Sequence, residues 1–289
     1  MKVAIIGGAG KMGRWFARFL LDEGKEVVLI GRSKAKLEEA RCQLGIPVTT
    51  DIEVARDADV VLISVPVDHF EGVVERLGPF THANQIILDI TSVKTLPVEA
   101  MHSHIKEGRV LGTHPVFGPG ARDFTNHSFV LTPTNQAESA LAEKVKSYLE
   151  TRRARVHLMM PQEHDDMMAV ILGLAHYIAI VSADSLANFE RLKEMEAIGG
   201  ITYKVLLTLV ESVISEDAEF YASLQMSMPN LPQIQRGFQK SCQEWADLVE
   251  KKDRREFARR MEAIRGKLEI NNPDFGKAYD NMYKIAQGL

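Results

Sequence analysis

Short β-branched and apolar runs alternate with amphipathic stretches through the first 160 residues. Lys2–Ile6, Glu26–Ile30, Val60–Val65, Gln85–Ile90, Arg109–Gly112, Phe129–Thr132 and Arg155–Met159 read as strands. Met12–Glu23, Lys34–Gln43, His69–Leu77 and Ala137–Glu150 carry apolar positions at helical spacing, with charged faces opposite. Strands alternating with helices predict a parallel, doubly wound α/β sheet covered on both faces. After Pro161 the pattern changes and no convincing strand remains. Met167–Glu190, Lys193–Ile214, Ala218–Gln225, Ile234–Glu250 and Arg254–Glu269 read as helices, with a break at Ser227-Met228-Pro229-Asn230-Leu231-Pro232. The chain therefore divides into an α/β domain over residues 1–160 and an all-helical domain over 161–289.

The first of these later helices is apolar on nearly all sides, which requires other helices to cover it. A homodimer core built from the helical half follows as an expectation. The same stretch, Met167–Ala183, is interrupted by Gly173, His176, Tyr177 and Ser182, so it reads as a buried helix rather than a membrane span. The first residues are apolar but reach Gly7 and Gly8 too soon for a signal-peptide core.

Charge and cysteine content narrow the picture further. A net charge of −4 argues against a nucleic-acid binder. Two cysteines, Cys42 and Cys242, support neither a disulfide framework nor a cysteine zinc site, and fit a reducing cytoplasm.

Gly8-Ala9-Gly10-Lys11-Met12-Gly13 directly follows an apolar strand and opens a helix. In that setting three glycines mark a Rossmann-type dinucleotide site. Gly8 is expected to make the tight turn, Gly10 to admit the pyrophosphate, and Gly13 to let helix and strand approach. The helix start, with Lys11 and Met12, offers N–H groups to the phosphates. At the end of the second strand, where an NAD site carries a carboxylate, this chain has Gly31-Arg32-Ser33. Arg32 and Ser33, with Lys36 nearby, suit a 2′-phosphate, so NADP is expected in preference to NAD. Val65 and Pro66, closing the third long strand run, are assigned to the cofactor side.

Three further segments stand in order: Asp89-Ile90-Thr91-Ser92-Val93-Lys94, Gly112-Thr113-His114-Pro115-Val116-Phe117-Gly118-Pro119, and Glu163-His164-Asp165 leading to Leu174-Ala175-His176-Tyr177. With the glycine loop and Glu216-Asp217-Ala218-Glu219-Phe220-Tyr221-Ala222, this arrangement resembles the prephenate dehydrogenase family over most of the chain. The resemblance implies a Rossmann domain followed by a helical dimerisation domain. It also implies oxidative decarboxylation of prephenate to 4-hydroxyphenylpyruvate, or of arogenate to tyrosine. Hydride leaves the carbon bearing the ring hydroxyl, and that hydroxyl must lose a proton to a nearby base.

His114 is the expected base, placed in a rigid loop just after its strand, with an imidazole of ordinary pKa. The resemblance implies that Ser92 hydrogen-bonds His114 and the substrate hydroxyl; taken alone, Ser92 reads equally well as a helix cap or turn serine. If the strand continued, Lys94 would point the same way as Ser92. His176 is implied as a substrate contact. His164 precedes it by about 18 Å of helix, so the two cannot share a metal, and none is expected. The carboxylates around His164 are expected to favour the N-terminus of their own long helix.

On the substrate side the chain departs from the resemblance. An arginine that binds a substrate carboxylate is implied where this chain has Ser212. Lys204, Arg122 and Arg236 are the candidate replacements. Gly199-Gly200 replaces a Ser-Pro, and Leu172 stands where some relatives have serine. A dehydrogenase acting on another substrate, such as arogenate, an amino-substituted prephenate or another hydroxy acid, is therefore a second reading. A non-catalytic NADP sensor is a third.

Overall fold

A computed structural model describes residues 1–287; Gly288 and Leu289, at the end of the expected helical domain, lie outside the described residues. The chain forms two compact units. Met1–Met168 with Met226–Met228 make the first, and Ala169–Gln225 with the chain from Pro229 onward make the second.

The first unit is built on one sheet. Its strands are β1 (Lys2–Ile6), β2 (Glu26–Ile30), β3 (Val48–Thr49), β4 (Val60–Ile63), β5 (Ile86–Asp89), β6 (Arg109–Val116), β7 (Ser128–Thr132) and β8 (Arg155–Leu158). They lie in the order β3-β2-β1-β4-β5-β6-β7-β8. Five neighbouring pairs up to β6 are parallel, as the alternation predicted. β7 corrects that reading, because it runs antiparallel to β6. The connection from Phe117 to His127 contains no crossover helix, and a strand that returns directly must run the other way.

Helices α1 (Lys11–Asp22), α2 (Lys34–Leu44) and α5 (Gln136–Glu150) bury Trp15, Phe16, Leu37, Leu141 and Leu149 with Ile5 and Leu29 of the sheet. On the other face α3 (Phe70–Leu77) and α4 (Thr95–His104) bury Phe70, Leu77, Val98 and Met101 with Ile6, Val61 and Ile63. Strand residues thus alternate between two apolar cores, as period-two side chains require when both faces are covered.

In the loop after β6, Phe117 and Phe124 pack around Trp15, whose indole N–H donates to the Ala121 carbonyl at 2.6 Å. That aromatic cluster holds the loop bearing Arg122 in one shape.

Helix α6 (Pro161–Met168) closes the first unit. The backbone continues through a π-helical stretch, Ala169–Leu174, into α7 (Ala175–Ala187). Then follow α8 (Leu192–Ile198), α9 (Ile201–Ile214), α10 (Ala218–Met226), α11 (Leu231–Glu250), α12 (Arg254–Asn271) and α13 (Ala278–Gln287). The single helix expected over Lys193–Ile214 is broken at Gly199-Gly200. A Cβ on Gly199 would stand 2.5 Å from the Tyr203 ring and 2.9 Å from the Met195 carbonyl, so the close turn needs glycine. The run Pro161–Ala187 is long and apolar enough to cross a membrane, and only 22 % of its most apolar stretch is buried in the single chain. The expectation of an enclosed helix does not hold in the single chain: Met167, Val170, Ile171 and Val181 are exposed.

Candidate active site

The glycine loop is shaped by what its neighbours leave room for. The positive-φ turn falls at Gly7, φ +80°, and not at Gly8 as expected. A Cβ on Gly7 would meet the Ser64 carbonyl at 2.1 Å and Val65 at 2.9 Å, so the loop lies directly against the end of β4. Gly8 is needed for packing, since its Cβ would stand 2.6 Å from Leu29. Gly13 would meet Gly8 Cα at 2.6 Å, which is the expected close approach of helix and loop. Gly10 differs from these: the nearest atom to its Cβ position is the Gly7 carbonyl, at 3.3 Å.

Gly10 is also the N-cap of α1, where no side chain caps the helix and no acidic residue stands in the first turn. The loop therefore presents a positive helix end without an internal anion, which suits a pyrophosphate. The Gly7 and Gly8 N–H groups both donate to the Ile30 carbonyl, at 2.8 and 3.3 Å. This ties the loop to the strand end that leads into Gly31, Arg32 and Ser33. Arg32 is exposed and makes no ion pair among the described residues. Ser33 caps α2 by accepting from the Lys36 N–H at 3.3 Å, leaving its own O–H to donate elsewhere. Met12 packs against the core, while Pro66 is exposed at the start of a short 3₁₀ turn.

At the carboxyl ends of β5 and β6 lies a buried polar cluster. Asp89 and Lys94 form an ion pair with both side chains 0 % exposed. The Lys94 ammonium also donates to the Thr113 carbonyl at 2.7 Å and to Thr91 Oγ1 at 3.0 Å. Asp89 accepts from the Thr113 and Thr91 N–H groups, each at 3.0 Å. Burial pushes the Lys94 pKa down, opposed by Asp89. Lys94 is the N-cap of α4, so it does not continue a strand beside Ser92 as expected.

These contacts fix Thr113, and with it His114. His114 is not in a loop after the strand: β6 runs on to Val116, and His114 is paired with Val130. The residue is 3 % exposed. Its pKa is also not the ordinary one, because burial, then His164 and Lys94, hold it well below 6.5. A neutral imidazole at physiological pH follows.

The partner of His114 is His164, with Nδ1 of the first 2.8 Å from Nε2 of the second. His164 Nδ1 in turn lies 2.8 Å from Asp165 Oδ1. Asp165 does not serve the start of its own helix. It caps α4 instead, accepting from the Lys94 N–H at 2.7 Å and the Thr95 N–H at 2.9 Å. Burial would raise the Asp165 pKa, but hydrogen bonds from His164 and from the Thr95 and Lys94 backbone hold it below the usual carboxylate value. Burial likewise holds His164 below 6.5, against the pull of Asp165.

Ser92 is half-buried in the loop between β5 and α4, and no described hydrogen bond joins it to His114. The sequence pattern singles out His114 but not the residues that hydrogen-bond to it. The adjacent His164-Asp165 pair was visible, but its role depends on a helix start some 70 residues earlier.

The remaining candidates lie on other elements. Arg122 is exposed beside Asp123 in the aromatic-anchored loop. His176, on α7, packs edge-on to Tyr221 with ring centroids 5.0 Å apart, and its Nδ1 is buried without a partner. Lys204 is exposed on α9. Ser212, on the same helix, donates to its own Leu209 carbonyl at 2.8 Å.

The nucleotide-binding domain of prephenate dehydrogenase matches residues 16–158, and the dimerization domain of the same enzyme matches residues 160–263. The chain belongs to the prephenate dehydrogenase family. A probable arogenate/prephenate dehydrogenase of Methanocaldococcus jannaschii is 31 % identical over 90 % of this chain and 59 % of its own length. The chain spans about three fifths to two thirds of that relative and of two T-proteins. A 4-amino-4-deoxyprephenate dehydrogenase of Streptomyces pristinaespiralis is 24 % identical over 98 % of this chain and 96 % of its own length. Among solved structures, prephenate dehydrogenase from Aquifex aeolicus in complex with hydroxyphenyl propionate and NAD+ shares the fold, with a TM-score of 0.76. It is 22 % identical and covers 94 % of this chain and 98 % of its own.

Proposed function

We propose that the protein oxidatively decarboxylates prephenate, or a close analogue, using NADP in preference to NAD. The observation that carries this reading is His114, a buried and neutral histidine at the carboxyl end of the sheet that bears the glycine loop. Gly8, Gly10, Lys11, Met12 and Gly13 hold the pyrophosphate at the uncapped start of α1, with Val65 and Pro66 alongside. Arg32 and Ser33 hold the 2′-phosphate, Gly31 taking the place of the carboxylate that would repel it. Hydride acceptance is the chemistry that the nicotinamide supplies when bound.

The protein's share is the proton. His114 accepts it from the ring hydroxyl at Nε2 as the carbonyl forms, with Ser92 helping to orient that hydroxyl. Carbon dioxide then leaves, the electrons of the broken C–C bond pass through the ring to the carbonyl oxygen, and that oxygen takes a proton back as the ring becomes aromatic. His176, Lys204 and Arg122 are the proposed substrate-binding residues. Support for the reaction comes from the names of the relatives, several of which are prephenate or arogenate dehydrogenases.

A second reading, the same chemistry on an amino-bearing analogue, is favoured by Ser212. Its hydroxyl is occupied within its own helix and supplies no cation for a carboxylate. The test is turnover of prephenate, arogenate and 4-amino-4-deoxyprephenate with each nicotinamide cofactor, followed by absorbance of the reduced form. Production of NADPH from prephenate supports the first reading. Turnover of the amino-bearing compounds alone supports the second, and none with any overturns both.

The helical unit is proposed to form a homodimer. Val170, Ile171, Leu206 and Leu209 are exposed in the single chain, and the matching domain is described as a dimerization domain. A lipid face is disfavoured, because the first turns of the same long helix are bound through His164 and Asp165 to the buried cluster of the sheet unit. Cytoplasmic residence fits the two exposed free thiols, Cys42 and Cys242.

A further inference from the structure

The hydrogen bonds around His114 have a direction, and it can be worked out from the fixed end. Asp165 accepts two backbone N–H bonds from the start of α4, at 2.7 and 2.9 Å. A carboxylate held in this way is an acceptor only. Its 2.8 Å contact with His164 Nδ1 must therefore be an N–H donated by the histidine. His164 is fully buried, with its pKa depressed by burial, so it is neutral and has only one N–H. That proton is on Nδ1, and Nε2 carries a lone pair. The 2.8 Å contact between His164 Nε2 and His114 Nδ1 then needs a proton on His114 Nδ1. His114 is neutral too, so its own Nε2 is left bare.

We propose that His164 and Asp165 are positioning residues that select the Nδ1–H form of His114 and so make its outward nitrogen a proton acceptor. What Nε2 accepts rests on the dehydrogenase reading above; the tautomer is a property of the chain alone. Asp165 serves both ends of the arrangement. By capping α4 it is fixed to the segment that carries Lys94, which in turn fixes Thr113 through its carbonyl. The acceptor set and the strand that holds His114 are thereby locked to one another. With no acceptor at position 164, a buried Nδ1–H would be left without a partner, which a buried donor resists. The proton would move to Nε2, and the ring would turn from acceptor to donor toward the substrate.

Two substitutions separate this role from simple packing. His164→Leu fills the site without an acceptor. His164→Gln can keep the polarity, its amide N–H donating to Asp165 and its carbonyl accepting from His114. The full-length protein labelled with ¹⁵N-histidine is observed by ring nitrogen–proton correlation NMR, and His114 is assigned by the signal lost in His114→Asn. Wild-type His114 should carry its proton on Nδ1, with Nε2 bare. In His164→Leu the proton should sit on Nε2, and kcat should fall about 100-fold while KM holds. His164→Gln should restore most of kcat. A wild-type His114 protonated on Nε2 overturns the proposal, as does a His164→Leu enzyme with undiminished kcat. The wild-type spectrum decides the question even if His164→Leu does not fold. If the wild type turns over none of the three substrates, the dehydrogenase reading fails, and the spectrum still decides the tautomer.

Discussion

In the sheet unit, Lys94 and Asp89 are removed from water altogether and answer each other through an ion pair and a ring of backbone and hydroxyl partners. In the helical unit, Glu256 meets Arg259 and Arg260 at 2.6 and 3.0 Å, but at the surface, where all three side chains keep contact with water. There the difficult side chains are instead apolar ones: Ile171, Val170, Leu206 and Leu209 stand uncovered in the single chain. The contrast teaches where each half keeps its specificity. Buried charge is costly unless every partner is in place, so the sheet unit admits only one arrangement. Exposed charge is screened and tolerant, and the helical unit leaves apolar faces uncovered in the single chain, the surface on which the homodimer proposal rests.

The largest effect should come from the buried cluster. His114→Asn should lower kcat by about 100-fold or more, measured with saturating cofactor and substrate. An enzyme of near-normal turnover would move the reaction centre elsewhere. Lys94→Met leaves the Asp89 carboxylate buried and unanswered, and should cost about 3–5 kcal/mol in urea unfolding. Glu256→Gln should leave the unfolding midpoint almost unchanged. Equal losses from the two would mean that burial does not set the cost of losing a charge partner here.

Ile171→Glu tests the other half. It should turn a dimer into a monomer in sedimentation, while NADP binding to the sheet unit persists. A wild type that is monomeric at micromolar concentration would remove the homodimer proposal. A smaller effect is expected at Arg32. Its alanine variant should raise the KM for NADP+ about tenfold and leave that for NAD+ unchanged, since a charge-assisted phosphate contact is lost.

A further effect is on the pH dependence of stability. His114 and His164 are held neutral in the fold, with pKa values below the ordinary 6.5. The unfolded chain therefore binds more protons, and stability rises with pH in that window. It should be fully present above about pH 6.5 and decline on acidification, by up to about 1.4 kcal/mol per pH unit for each histidine. His114→Asn should flatten that decline; an unaltered slope would mean the histidine is not held neutral.

Much of this arrangement was legible in the sequence, for reasons that also explain the rest. The strands of the parallel core and the glycine loop announce themselves locally, through β-branched runs and glycine spacing. The tight turn was assigned one residue late because Gly7 and Gly8 are adjacent, and only the approach of Ser64 shows which must take positive φ. Helix α4 was missed. Pro97 stands in its first turn, and its cap comes from Asp165, so no local signal marks its start. His114 stands out by its motif, but its neighbour suggests a loop, since Pro115 reads as a loop residue yet sits in β6 opposite Phe129. The His164–Asp165 support is a contact across 50 residues and more, which spacing along the chain does not encode.

The decisive measurement follows NADPH and carbon dioxide in one vessel, with wild-type protein, NADP+ and prephenate. The two should appear together in equal amounts, and both should be lost in His114→Asn. Reduced cofactor without carbon dioxide, or neither product from prephenate or its amino-bearing analogues, would overturn the proposed oxidative decarboxylation.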